Sequence, residues 1–181
     1  MNTTILFVLK LVLLFSCTLI TQGAKRKAVV YFDKFKIENH NKELLKIDYQ
    51  INSTSDNVST IYANFEIAED LEYFNGTFNL SIRNGGKYVS FGNQDIDCNG
   101  MGMIYNHYLI QMIAVSLRSY SNIPLSCPYK KNKLYYINGF KIVTDIVPSY
   151  FPEVSFTTDA KIYFNQRLSL RIRTEGHLGR K

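Results

Sequence analysis

The chain has 181 residues, 46% of them hydrophobic and 14% aromatic, and carries a net charge of +6 at pH 7. That length suffices for one domain with a real core, and no internal repeat, low-complexity tract or linker divides it. The charge is mild and comes without an RNP-type, zinc-finger or basic-helix pattern, so nucleic acid is not an expected partner.

The first element is an export leader. Leu11 to Ile20 form an apolar stretch of ten residues preceded by Lys10, the size of a signal-peptide core and too short to span a bilayer. Thr21 and Gly23 place small residues at −3 and −1, so cleavage is expected after Gly23. The rival reading, an uncleaved anchor, is opposed by the charge of Lys10. This divides the chain into a signal peptide at 1–23, a single domain at 24–175 and a disordered basic tail at 176–181. No later apolar run is long enough for a transmembrane segment, so the mature chain is expected to be secreted and extracellular. Cys17 leaves with the leader, and Cys98 and Cys127 remain. An even number of cysteines in an oxidising compartment is read as one disulfide, the alternative being two buried free thiols.

Strict alternation marks the strands that follow. After a strand at 28–37, Leu45, Ile47, Tyr49 and Ile51 share one face of 43–51 and Lys46, Asp48 and Gln50 the other. In 60–68 Ile61, Phe65 and Ile67 face inward, and in 73–83 Phe74, Phe78, Leu80 and Ile82 do. Four N-glycosylation sequons begin at Asn52, Asn57, Asn75 and Asn79. The last two fall on the solvent side of 73–83, where a glycan clears the core. Asn84-Gly85 is a strong hairpin signal; with Arg83 paired to Gly86, Leu80 lies opposite Val89 and Phe78 opposite Phe91. Residues 101–118 read as a helix with a narrow polar stripe of His107, Gln111, Ala114 and Arg118 and an apolar remainder. A strand at 133–143 precedes a last hairpin, in which Phe156, Ala160, Ile162 and Phe164 face inward on one strand and Leu168, Leu170 and Ile172 on the other. A three-residue loop at 165–167 keeps Phe164 opposite Leu168. The fold class is mainly β: an immunoglobulin-like β-sandwich of about seven or eight antiparallel strands, with one helix inserted between the two cysteines.

Reactive constellations are few. The three histidines, His40, His107 and His177, lack metal-ligand spacing. There is no G-x-S-x-G elbow and no unpaired mature cysteine. Asp70 and Glu72 lie near a loop without a partner and read as a solvated face. Asp95-Ile96-Asp97-Cys98-Asn99-Gly100 matches half of a calcium loop, but the twelfth position is Asn106 where a bidentate glutamate is required. It reads instead as a strand ending in an Asn-Gly turn. No enzyme activity, metal or cofactor is expected. Lys161, Arg167, Arg171 and Arg173 form a basic outer face. Solvation explains such a face, and an extracellular receptor or anionic surface is the sharper reading.

The Asp97-Cys98 element before the helix, then Ser121-Asn122-Ile123-Pro124-Leu125-Ser126-Cys127-Pro128-Tyr129, Val147-Pro148, Phe151-Pro152 and a final hairpin, resemble a large family of small secreted insect proteins of largely unassigned function. That family is in turn distantly similar to the ML lipid-recognition sandwiches, which include the ganglioside activator. The resemblance covers most of 58–175. It implies an ML-like sandwich holding a small hydrophobic ligand, a lipid or pheromone-like molecule, between its sheets, with a role in chemosensation or reproduction. The wall residues of such a cup would be Phe74, Phe78, Phe91, Tyr136, Phe140, Phe156 and Phe164, with Met103 and Met112 adapting from a helix that closes one end. The alternative for each is ordinary core packing. At the level of function the alternative is an extracellular protein-interaction module with a dry core, acting through its basic face or loops. A continuous apolar cavity of roughly 300 Å³ or more separates the two.

Overall fold

The computed structural model describes residues 27–52, 59–84, 86–98, 108–124, 126–144, 147 and 152–181. The signal peptide, the Asn57 sequon, Asn99-Gly100 and the expected first turns of the helix, with Met103 and His107, lie outside these residues.

The alternating segments form eight strands: β1 (Ala28–Asn39), β2 (Leu45–Asn52), β3 (Thr60–Ile67), β4 (Asn75–Asn84), β5 (Lys87–Asp97), β6 (Tyr135–Phe140), β7 (Val154–Phe164) and β8 (Arg167–Arg180). Among the described residues one helix, α1 (Tyr108–Tyr120), stands between β5 and β6. The strands make two antiparallel sheets, one of five in the order β1-β8-β7-β4-β5 and one of three in the order β2-β3-β6. Their apolar faces meet in two clusters. One surrounds the Cys98–Cys127 disulfide, with Leu44, Leu45 and Ile67 of the small-sheet side against Phe74, Phe164 and Leu170. The other joins Ala28, Val30, Phe32 and Leu178 to Ile61 and Phe140. The chain is thus a β-sandwich with its helix between the two disulfide cysteines.

The smaller sheet is two strands short of covering its partner, a deficit of about 10 Å at a strand spacing of roughly 4.8 Å. α1, with a helix diameter of about 10 Å, continues the smaller layer past β6. Ser121, just beyond the helix, bridges to Ile137 of β6. The Ser116 hydroxyl donates to the Met112 carbonyl at 2.7 Å and accepts the Val143 N–H at 2.8 Å. Ser116 and Met112 form the buried side of α1, whereas Val115, Arg118 and Ser119 are exposed. The expected polar stripe is therefore corrected: Ala114 faces the interior, and a serine occupies the most buried position because its hydroxyl is satisfied twice.

Bulges move the hairpins from their expected registers. The final turn holds two residues, Asn165 and Gln166, both with positive φ (49° and 64°), so Phe164 pairs with Arg167. An extra residue at Ser169 restores the inward facing of Leu170. Asn84 pairs with Lys87, and Gly86 has a φ of 88°. The first turn thus sits one residue later than Asn84-Gly85, and Val89 meets Ile82 rather than Leu80. Residues 176–180, expected as a tail, continue β8 along β1 up to the pair Ala28–Arg180. Gly176, a breaker by composition, is needed there: a Cβ would lie 2.3 Å from the Tyr31 carbonyl oxygen and 2.6 Å from the Phe156 ring.

Candidate functional site

Along β7 the even-numbered residues point into the sandwich, and β7 is the middle strand of the five-stranded sheet. A packed core would bury them all, yet only Phe164 is buried and the inward residues from Val154 to Ile162 retain open surface. The space they face is a cavity of about 330 Å³. Its floor is the large sheet: Val30, Phe32 and Phe35 of β1, Ile172, Thr174 and Leu178 of β8, Val154, Phe156, Thr158 and Ala160 of β7, Phe78, Leu80 and Ile82 of β4, and Ile96 of β5. Its roof is Ile61, Ile137 and Phe140 of the small sheet, Met112, Ile113, Ala114 and Leu117 of α1, and Ile142 and Val147 beyond β6. The cavity lies where the upper layer changes from sheet to helix. Among the described residues no charged side chain lines it.

Of the expected wall residues, Phe78, Met112, Phe140 and Phe156 line the cavity. Phe74 and Phe164 lie outside it, in the cluster at the disulfide, where Phe74 packs edge-on to Tyr129 and Phe164 with centroids 5.8 and 6.4 Å away. Burial there pushes the Tyr129 phenol up to about 12, and its hydroxyl donates to the Pro124 carbonyl at 2.8 Å. Tyr136 is on the outer face, 42% exposed. Gly139, with a φ of 68°, introduces a bulge in β6, so the inward residues are Tyr135, Ile137 and Phe140. The side chain of Phe91 lies outside the described residues.

The basic outer face is largely neutralised. Arg171 donates to Asp159 through Nε and Nη2 at 2.8 and 2.6 Å, a bidentate pair that lowers the aspartate pKa and raises that of the guanidinium. Arg173 reaches both oxygens of Glu38 at 2.7 and 2.9 Å, and Lys36 approaches the same carboxylate at 2.9 Å. Together they hold the Glu38 carboxyl down at about 2. Lys161 and Arg167 occupy the same hairpin. Asp70 pairs with Lys130 at 2.8 Å and accepts the Lys131 N–H, contacts that hold its carboxyl below the usual range. Glu72 is 3.9 Å from Lys130.

Asn52 and Asn75 are exposed. Asn79 is half-buried, and its amide donates to Asn93 Oδ1 at 2.8 Å and Ser90 Oγ at 3.2 Å. His177 stacks on Tyr31 at 4.8 Å with Nδ1 3.0 Å from Asp33, and His40 lies 4.0 Å from Glu38. The expected wall set omits Val30, Phe32 and Phe35 of β1, the aliphatic side chains of α1, and the small residues Thr158 and Ala160 of β7. Their signal is local: inward positions between phenylalanines filled by side chains too small to close the gap.

No curated protein matches the chain. Among solved structures, chicken MD-1 complexed with lipid IVa is similar at 15% identity over 83% of this chain and 96% of that one, with a TM-score of 0.38. A protein from Archaeoglobus fulgidus is similar at 8% identity over 81% and 98% of the two chains, with a TM-score of 0.28. Residues 76–158, which run from β4 through the disulfide and α1 into β7, match the family model described as "Protein of unknown function (DUF1091)".

Proposed function

We propose that this protein is an extracellular carrier or presenter of one small hydrophobic molecule, held between the sheets beneath α1. The observation that carries the reading is the unpacked inner face of the central strand β7 over a cavity of about 330 Å³ with apolar walls, within the size range of small-molecule sites. Emptying a core in this way forfeits dispersion contacts, which a ligand restores. The resemblance to lipid-recognition sandwiches supports the same reading, and the leader and disulfide support the extracellular setting. The rival, a dry-cored interaction module working through a basic face, is weakened by the cavity and by the pairing of Arg171 and Arg173.

Native mass spectrometry of protein secreted from eukaryotic cells tests the proposal. The expected result is a bound species, released on collisional activation, in the mass range of a single-chain lipid. Apo protein that also fails to take up an added apolar ligand contradicts it.

A further inference from the structure

Two hydroxyl groups interrupt the apolar walls. Thr158 of β7 and Thr174 of β8 are paired directly across the strands, in a row that continues to Phe35 on one side and Leu80 on the other. All four line the cavity. Thr174 is only 7% exposed, and neither threonine side chain has a hydrogen-bond partner among the described residues. Among those residues no buried side-chain oxygen or nitrogen is both closed off and unpartnered, so the Thr174 hydroxyl keeps some open surface, and Thr174 is a residue of the cavity lining.

Packing does not require this chemistry. Valine has the same branched shape and the same fitness for a strand, without a polar group that loses its water partners on burial. Two adjacent threonines in the middle of the floor therefore point to something that enters the cavity and hydrogen-bonds. Because no lysine, arginine, aspartate or glutamate among the described residues lines the cavity, an anion or cation would find no counter-charge from them. At about 330 Å³ the space holds on the order of eleven water-sized groups at roughly 30 Å³ each, one short chain or a small ring system.

We propose that Thr158 and Thr174 form a hydrogen-bonding subsite for a single neutral oxygen, and that the ligand is a mono-oxygenated apolar molecule of the alcohol, ester or ketone class. This rests on the cavity reading above and goes beyond it by separating such molecules from hydrocarbons and from fatty acid anions. The subsite selects a ligand and its orientation, since the oxygen is fixed at the row while the remainder of the molecule lies against the aliphatic walls.

The test uses the secreted protein with 1-aminoanthracene as a fluorescent probe, displaced by decan-1-ol, decane or sodium decanoate at pH 8. Decan-1-ol is expected to displace the probe about three- to tenfold better than decane, the range of one added hydrogen bond, and at least tenfold better than decanoate. In the Thr158→Val/Thr174→Val double variant, with cooperative unfolding retained, the preference for decan-1-ol over decane falls to within twofold. Thr174→Ser, which keeps the hydroxyl, retains at least a threefold preference. Equal displacement by decan-1-ol and decane, or by decan-1-ol and decanoate, overturns the neutral-oxygen subsite but leaves the apolar carrier reading intact. An undiminished preference in the double variant overturns the assignment to these threonines. Absence of saturable probe binding to the wild type overturns both readings.

Discussion

Ser116 shows how single residues fix the helix over the cavity. Its hydroxyl is the acceptor for the Val143 N–H and is itself bonded to Met112. In Ser116→Ala the amide loses its partner in a half-buried position, and a loss of roughly 1–3 kcal/mol is expected, read as a lower urea midpoint with an unchanged slope. An unshifted midpoint would mean that α1 is not anchored through this contact. Alternation marks Phe78 and Phe156 as inward-facing, and they line the cavity, as does Phe140, which the resemblance to lipid-recognition sandwiches suggests as a wall residue. Alternation does not distinguish Phe78 and Phe156 from Phe74 and Phe164, because all four obey the same pattern. What separates them is the filling around the disulfide by Tyr129, Tyr135 and Leu44, side chains from distant parts of the chain. Tyr136 was misplaced for a local reason: the Gly139 bulge shifts β6 by one residue, and a glycine inside a strand is the available warning of such a shift.

At the level of elements, β8 reaches further than composition suggests. Glycines at 176 and 179 read as chain-end flexibility. In the folded chain Gly176 admits the Phe156 ring against the backbone, and Leu178 is buried against β1. Deleting 176–181 is expected to remove the partner of Ala28–Phe32 and to abolish cooperative unfolding or lower the midpoint strongly; a dispensable tail would leave the midpoint unchanged. The disulfide closes a separation of 29 residues around α1, so Cys98→Ala/Cys127→Ala is expected to cost roughly 3–4 kcal/mol, mainly by freeing the unfolded chain. Equal denaturant stability of the two proteins would contradict that. Cysteine counting made the bridge legible in advance. Hairpin registers were less legible, since turns displaced by one residue and compensated by bulges leave the binary pattern intact.

The molecule as a whole is an unequal sandwich: five strands face three strands and a helix. The two layers seal at the disulfide end and leave space where sheet gives way to helix. Ion pairs knit the outer face of the large sheet, and they set its response to acid. Glu38, held at about 2 against an ordinary value of 4.5 by Arg173 and Lys36, contributes stability that is complete above pH 4.5 and is lost as pH falls toward 2. Thermal midpoints should therefore decline across that window, and Glu38→Gln should flatten part of the decline; identical profiles would remove Glu38 from the account. An interior built to be occupied binds a probe, and titrating 1-aminoanthracene into the wild type and Ala160→Phe measures this. Ala160 sits on the cavity floor between Phe78 and Ile172, and a phenyl ring there takes up ligand space. Saturable one-to-one binding by the wild type is expected, weakened at least tenfold in Ala160→Phe, with a thermal midpoint that does not fall because the ring enters empty volume. A wild type that binds no probe, together with an Ala160→Phe variant destabilised by the roughly 1–3 kcal/mol of an overpacked core, would contradict it.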